Sequence, residues 1–98
     1  MLPKEEKLYK DKNIEIGYFQ DSFEDHVLII NQETQFILQR GVLEELARTS
    51  RDTLLLKLNA IDPMLPYTLN EEKISADYLQ VALAQAHIKE LDEFNRNI

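Results

Sequence analysis

Residues 33–61, "ETQFILQRGVLEELARTSRDTLLLKLNAI", decide the fold, because everything else packs around whatever they form. Placed at 100° per residue, Phe36, Leu43, Leu46, Ala47, Leu54, Leu58 and Ile61 fall in one narrow stripe. Glu44, Glu45, Arg48 and Asp52 fall on the far side. The phase is kept across "ELARTSRDTL", which predicts one nearly continuous helix of about 25–28 residues, about 40 Å long. Gly41 then lies on the outer face, at a cost of about 1 kcal/mol. A competing reading breaks the helix at Thr49 or Ser50, both N-cap residue types.

This stretch also carries Ile37, Leu38, Val42, Leu55 and Leu56 off the stripe, on flanks where a surface helix is usually polar. A domain of this length has a radius of gyration of about 13 Å, so a helix of about 40 Å cannot be fully covered by its own chain. The surplus apolar side therefore predicts either wrapping by the rest of the chain or contact with another one.

Downstream, "AIDPMLPYTL" (60–69) reads as a joint, since Pro63 and Pro66 both break helix and push Asp62 and Leu65 toward extended geometry. It nevertheless carries Met64, Leu65, Tyr67 and Leu69 where polar residues and Gly are usual. Those side chains either plug the end of a two-helix core or form a pre-organised docking surface.

A second helix is predicted from about Ala76 to Phe94, with Ser75 as N-cap, Asp77 favoured by the helix dipole and Ile74 stapled to Leu79. Its stripe comprises Ala76, Leu79, Leu83, Ala84, His87, Leu91 and Phe94, widened by Val81 and Ile88. Thr68 with Glu71 offers an earlier capping-box start. In residues 13–30, "NIEIGYF" reads as extended, whereas Ser22 with Asp25 favours a helix over 23–30 against a β-hairpin, no Asn-Gly or Asp-Gly turn being present. Two glycines in the chain leave few tight-turn sites and disfavour a many-stranded sheet. The expected fold is thus mainly α: a small bundle on a long central helix and a C-terminal helix, with an N-terminal β-hairpin as the α+β alternative.

Ninety-eight residues make one domain, divided here into a mobile or frayed segment (1–12) and a helical body (13–98). The formal charge is -7; residues 1–12 carry +1 and the body -8. Nucleic acid and anionic membrane are thereby disfavoured as partners, and a basic or neutral protein is favoured. Without cysteine, signal peptide or a long apolar run, the chain reads as soluble and cytoplasmic.

Catalytic signals are thin. His87 falls within an apolar stripe, and its stretch "AHIKEL" shares an Ala-His pair with histidine phosphotransfer domains. Here, however, Lys89 stands two positions after His87 instead of three, and the glycine that gives a phosphoryl group room is absent. A buried histidine satisfied by a partner is the expectation. Adjacent carboxylates such as Glu44/Glu45 and Glu71/Glu72 diverge by about 100° on a helix and cannot share a proton. No Gly-x-Ser-x-Gly elbow, phosphate loop or convergent metal-ligand set occurs, so no enzyme, cofactor or metal is expected.

The functional expectation is a protein-binding module (chaperone, inhibitor or assembly adaptor) docking through Leu55, Leu56, Met64, Leu65 and Tyr67, with Glu44, Glu45, Glu71 and Glu72 steering the partner. The alternative is a self-assembling structural subunit that uses the long helix as its homo-oligomer contact.

Overall fold

A computed structural model of the chain describes residues 7–22 and 24–96. Four strands come first: β1 (Lys7–Lys10), β2 (Ile14–Tyr18), β3 (His26–Ile30) and β4 (Thr34–Leu38). They pair antiparallel in chain order as a meander, so β4 has β3 as its sole strand neighbour among the described residues. Four helices follow: α1 (Val42–Arg48), α2 (Arg51–Ile61), α3 (Met64–Glu71) and α4 (Ala76–Arg96). The fold is α+β, which overturns the mainly α expectation.

The sheet arises from period-two alternation. Ile14 and Ile16, then His26, Leu28 and Ile30, then Phe36 and Leu38 point to one buried face. The register aligns them as rows, Ile16 with Leu28 and Phe36, and His26 with Leu38. The opposite face carries the rows Gly17–Val27–Ile37 and Glu15–Ile29–Gln35.

The predicted long helix does not exist. Its first residues are β4, where Ile37 turns away from the core that Phe36 and Leu38 enter. Gly41 then adopts φ 80°, a left-handed conformation that ends the extended run and opens α1. The chain breaks again at Thr49 and Ser50, both extended, where the competing reading had set the break. The common phase of Phe36 with Leu43 and Leu54 was coincidence, because a strand and two separate helices happened to bury residues at compatible spacings. The homo-oligomer contact expected on that helix therefore has no single long helix to use, although Leu55 and Leu56 stand exposed on α2.

The helix expected over 23–30 is also absent. Ser22 Oγ accepts hydrogen bonds from the amides of Glu24 (3.1 Å) and Asp25 (2.8 Å), as an N-cap would, yet the chain enters β3 instead. Scarcity of glycine did not prevent the sheet. Left-handed backbone is supplied by Asp21, Asn31, Gln32 and Lys73, and Asn31 with Gln32 make a β3–β4 turn with both central φ values positive. Lys7–Lys10, assigned to a mobile or frayed terminal segment, form β1; residues 1–6 of that segment lie outside the described residues.

The proline-containing joint is a correction as well. Asp62 and Pro63 make a short turn, in which the Met64 amide donates to Asp62 Oδ1 at 2.9 Å, and α3 begins at once. Pro66 sits in the first turn of α3, where its missing N–H has no carbonyl to lose. Asp62, before Pro63, is extended as expected (ψ 117°), whereas Leu65, before Pro66, is helical within α3, so the extended stretch does not continue through the joint.

Helix α4 lies against β1, β2 and α1. Its core face is Leu79, Ala82, Leu83, Ala86, His87 and Glu93, all buried, so the expected stripe was rotated: Val81, Ile88, Leu91 and Phe94 are exposed. Ser75 Oγ accepts from the Tyr78 amide at 3.1 Å, as the N-cap reading requires. Gln80 Nε2 donates to the Leu46 and Ala47 carbonyls (3.2 and 3.0 Å), satisfying the end of α1. Asp11 ties the β1–β2 turn to α4. Its Oδ1 accepts from the Asn13 and Ile14 amides (2.7 and 2.9 Å), and its Oδ2 from the Tyr9 and Tyr78 hydroxyls (both 2.5 Å).

Candidate interaction surface

Helices α2 and α3 each bury a narrow edge. Leu54 and Leu58 of α2, and Leu65 and Leu69 of α3, enter the common core. At 100° per residue the positions opposite are Asp52, Leu56 and Asn59 on α2, with Leu55 on its flank, and Met64, Tyr67 and Glu71 on α3. Leu56 is 72% exposed, Tyr67 56%, Met64 54% and Leu55 45%. Single exposed leucines are ordinary, but four large apolar groups on consecutive short helices are more than chance exposure requires. Of the five apolar residues expected to dock, these four stand on the surface. Leu65 does not: it is fully buried and belongs to the core, because its spacing of four from Leu69 places both on α3's inner edge.

The four glutamates separate into two places. Glu44 pairs with Arg48 at 3.2 Å and Glu45 with Lys57 at 2.6 Å, both on the α1–α2 side. Glu71 ends α3 on the face of Met64 and Tyr67, and Glu72, just past the helix, accepts from Asn31 Nδ2. The first pair is therefore partly neutralised locally; of the four glutamates Glu71 shares the apolar face, and Asp52, one turn before Leu56, lies on the outer face of α2.

Beside this surface runs a shallow groove between the end of β4 and the α1–α2 pair, with a volume of about 320 Å³, lined by Ile37, Gln39, Val42, Ala60 and Ile61. Sequence reasoning missed it, since Ile37 and Val42 were placed on a single helix instead of on the two sides of a chain reversal.

A second concavity, of about 540 Å³, is polar and open, and is lined by Glu24, His26, Arg40, Glu44, Glu90 and Phe94. His26 is buried; its Nε2 contacts Glu90 Oε2, and its ring stacks on Tyr18 with centroids 5.3 Å apart. Arg40 pairs with Glu24 at 3.2 Å. His87, one turn before Glu90 on α4, is 9% exposed, and among the described residues neither ring nitrogen has a hydrogen-bond partner. The satisfying partner expected for it is not found there. The alternation of His26 with Leu28 and Ile30 marks it as core-facing once β3 is recognised. Among the described residues no group of three or more His, Asp or Glu is arranged to hold a metal ion. No helix among them is long and apolar enough to cross a membrane.

Comparison with family models, with curated proteins and with solved structures finds no match for the chain.

Proposed function

We propose that the chain is a non-enzymatic protein-binding module that acts stoichiometrically, docking a protein partner on the outer faces of α2 and α3. The observation that supports this is the exposure of Leu55, Leu56, Met64 and Tyr67 on two helices joined by a short turn, with Glu71 at the border of the patch. Methionine adapts to irregular partner surfaces, and tyrosine supplies contact area with little loss of rotamer freedom. The turn held by Asp62 fixes the relation of the two helices before binding, which reduces the ordering cost of association. A formal charge of -7 favours a basic or neutral partner and an on-rate that falls with salt. A cytoplasmic site of action agrees with a chain that has no cysteine.

The test compares the wild-type chain with a Leu55→Glu/Leu56→Glu variant, both immobilised and exposed to native extract. A protein retained in equimolar amount by the wild type and lost with the variant, whose circular dichroism is unchanged, supports the reading. Equal retention by both removes α2 from the contact. Reversing Glu71 to Lys should slow association at low ionic strength, and an unaltered on-rate would count against steering by that carboxylate.

A further inference from the structure

Helix α4 carries a second apolar line, on the side turned away from the core. Val81, Ala84, Ile88 and Leu91 follow one another at intervals of three, four and three residues, the spacing of alternate a and d positions in a heptad. Asp77 and Asn95 continue it at either end. At 100° per residue the line lies opposite Leu79, Ala82, Leu83 and Ala86, and Ile88 is 64% and Val81 53% exposed. No charge interrupts the line between Val81 and Leu91.

We infer that this face of α4 is the contact of a homodimer, in which two copies of α4 cross antiparallel about a two-fold axis that passes midway between Ala84 and Ile88, at the height of Ala86 but on the opposite side of the helix. The sequence of the line specifies that occupant. An antiparallel pair centred there sets Val81 against the partner copy's Leu91 and Ala84 against its Ile88, so each small residue receives a large one. Asp77 then meets Asn95 of the other copy, and the two helix dipoles oppose. A parallel pair would instead place Ala84 on Ala84, leaving a gap, and would bring the two Asp77–Arg51 ion pairs (2.9 Å) together at one end. The contact is independent of the α2–α3 surface.

Its size sets its strength. With flanking side chains, two such helix faces bury on the order of 1,000 Å², the lower bound for a specific contact, so a weak, concentration-dependent dimer follows. The two copies are both strongly acidic while the line itself is uncharged, so added salt screens repulsion without weakening the contact. Dimerisation therefore strengthens with salt, whereas capture of a basic partner weakens.

The test is sedimentation equilibrium on the full chain from about 10 µM to 1 mM, with Ile88→Glu and Leu56→Glu as variants. Dimer that grows with concentration and salt, is lost in Ile88→Glu and persists in Leu56→Glu, supports the inference. A monomer throughout, or a dimer lost only in Leu56→Glu, overturns it. Because the chain has no cysteine, orientation can be read directly. A mixture of Val81→Cys and Leu91→Cys chains should cross-link as the mixed species. Efficient cross-linking of Val81→Cys alone would indicate a parallel pair and overturn the antiparallel arrangement.

Discussion

Replacing Asp11 by Asn should destabilise the protein in a way that depends on pH. Partial burial pushes the Asp11 carboxyl up, but hydrogen bonds from the Tyr78 and Tyr9 hydroxyls and the Asn13 and Ile14 amides outweigh it and hold the group down, from 3.8 to about 2. Nearly two pH units correspond to about 2.5 kcal/mol at 1.36 kcal/mol per unit. The carboxylate keeps some contact with water, and screening reduces this to about 1–2 kcal/mol. A carboxyl whose folded value lies below its unfolded value contributes stability that is complete above 3.8 and lost as pH falls through about 2. Urea unfolding followed by far-ultraviolet circular dichroism, at neutral pH and near pH 2, measures it. With a urea dependence of about 1–1.5 kcal/mol per molar, Asp11→Asn should lower the neutral-pH midpoint by about 1 M. The difference between the two proteins should close at the acidic end, since every other group titrates alike in both. Equal midpoints at neutral pH, or a gap that persists in acid, would refute the assignment. The same contact has an alkaline counterpart, because its hydrogen bond to Asp11 raises the Tyr9 hydroxyl to about 12, so that contribution fades as pH rises above the ordinary tyrosine range.

Leu65→Ala should cost about 2–5 kcal/mol in the same denaturation assay, as expected for a fully buried leucine, and a cost under about 1 kcal/mol would return Leu65 to the surface. Gly41→Ala, at φ 80° with no neighbouring atom within 4 Å of the added methyl, should cost about 1–2 kcal/mol from backbone strain alone. Thermal unfolding would show it as a lowered Tm, and an unchanged Tm would mean that the α1 start relaxes. His87→Leu should be neutral or stabilising by about 1 kcal/mol, since it removes a buried imidazole without a described hydrogen-bond partner. A marked loss of stability would reveal a partner for that ring.

The helices were legible where burial followed a 3.6-residue period for two turns or more. The Ala76 start of α4 could be read from Ser75, and the inner edge of α2 from Leu54 and Leu58. The sheet was hidden for local reasons. "HVLII" and "QFILQ" are short apolar runs in which alternation hardly shows, and Val27, Ile29 and Ile37 are apolar on the outward face too. Asn31-Gln32 closes a hairpin without the glycine that usually signals one. Ser22 presents the hydrogen bonds of a helix cap at the mouth of a strand. Of the candidate surface, Leu55, Leu56, Met64 and Tyr67 were found through a mistaken geometry: excess apolar content was visible in composition, but its placement on α3 depended on prolines that begin a helix instead of ending one.

The outer edge of β4 has a consequence for handling the protein. From Thr34 to Gln39 the segment is uncharged, rich in residues that favour strands, and bracketed by Glu33 and Arg40 alone. Those two charges are the ones that would meet an approaching copy in edge-to-edge pairing, and an antiparallel junction would set each against its opposite. Because Arg40 also pairs with Glu24 at 3.2 Å, neutralising it would unpair that carboxylate as well and leave an acidic rim that repels its own copy.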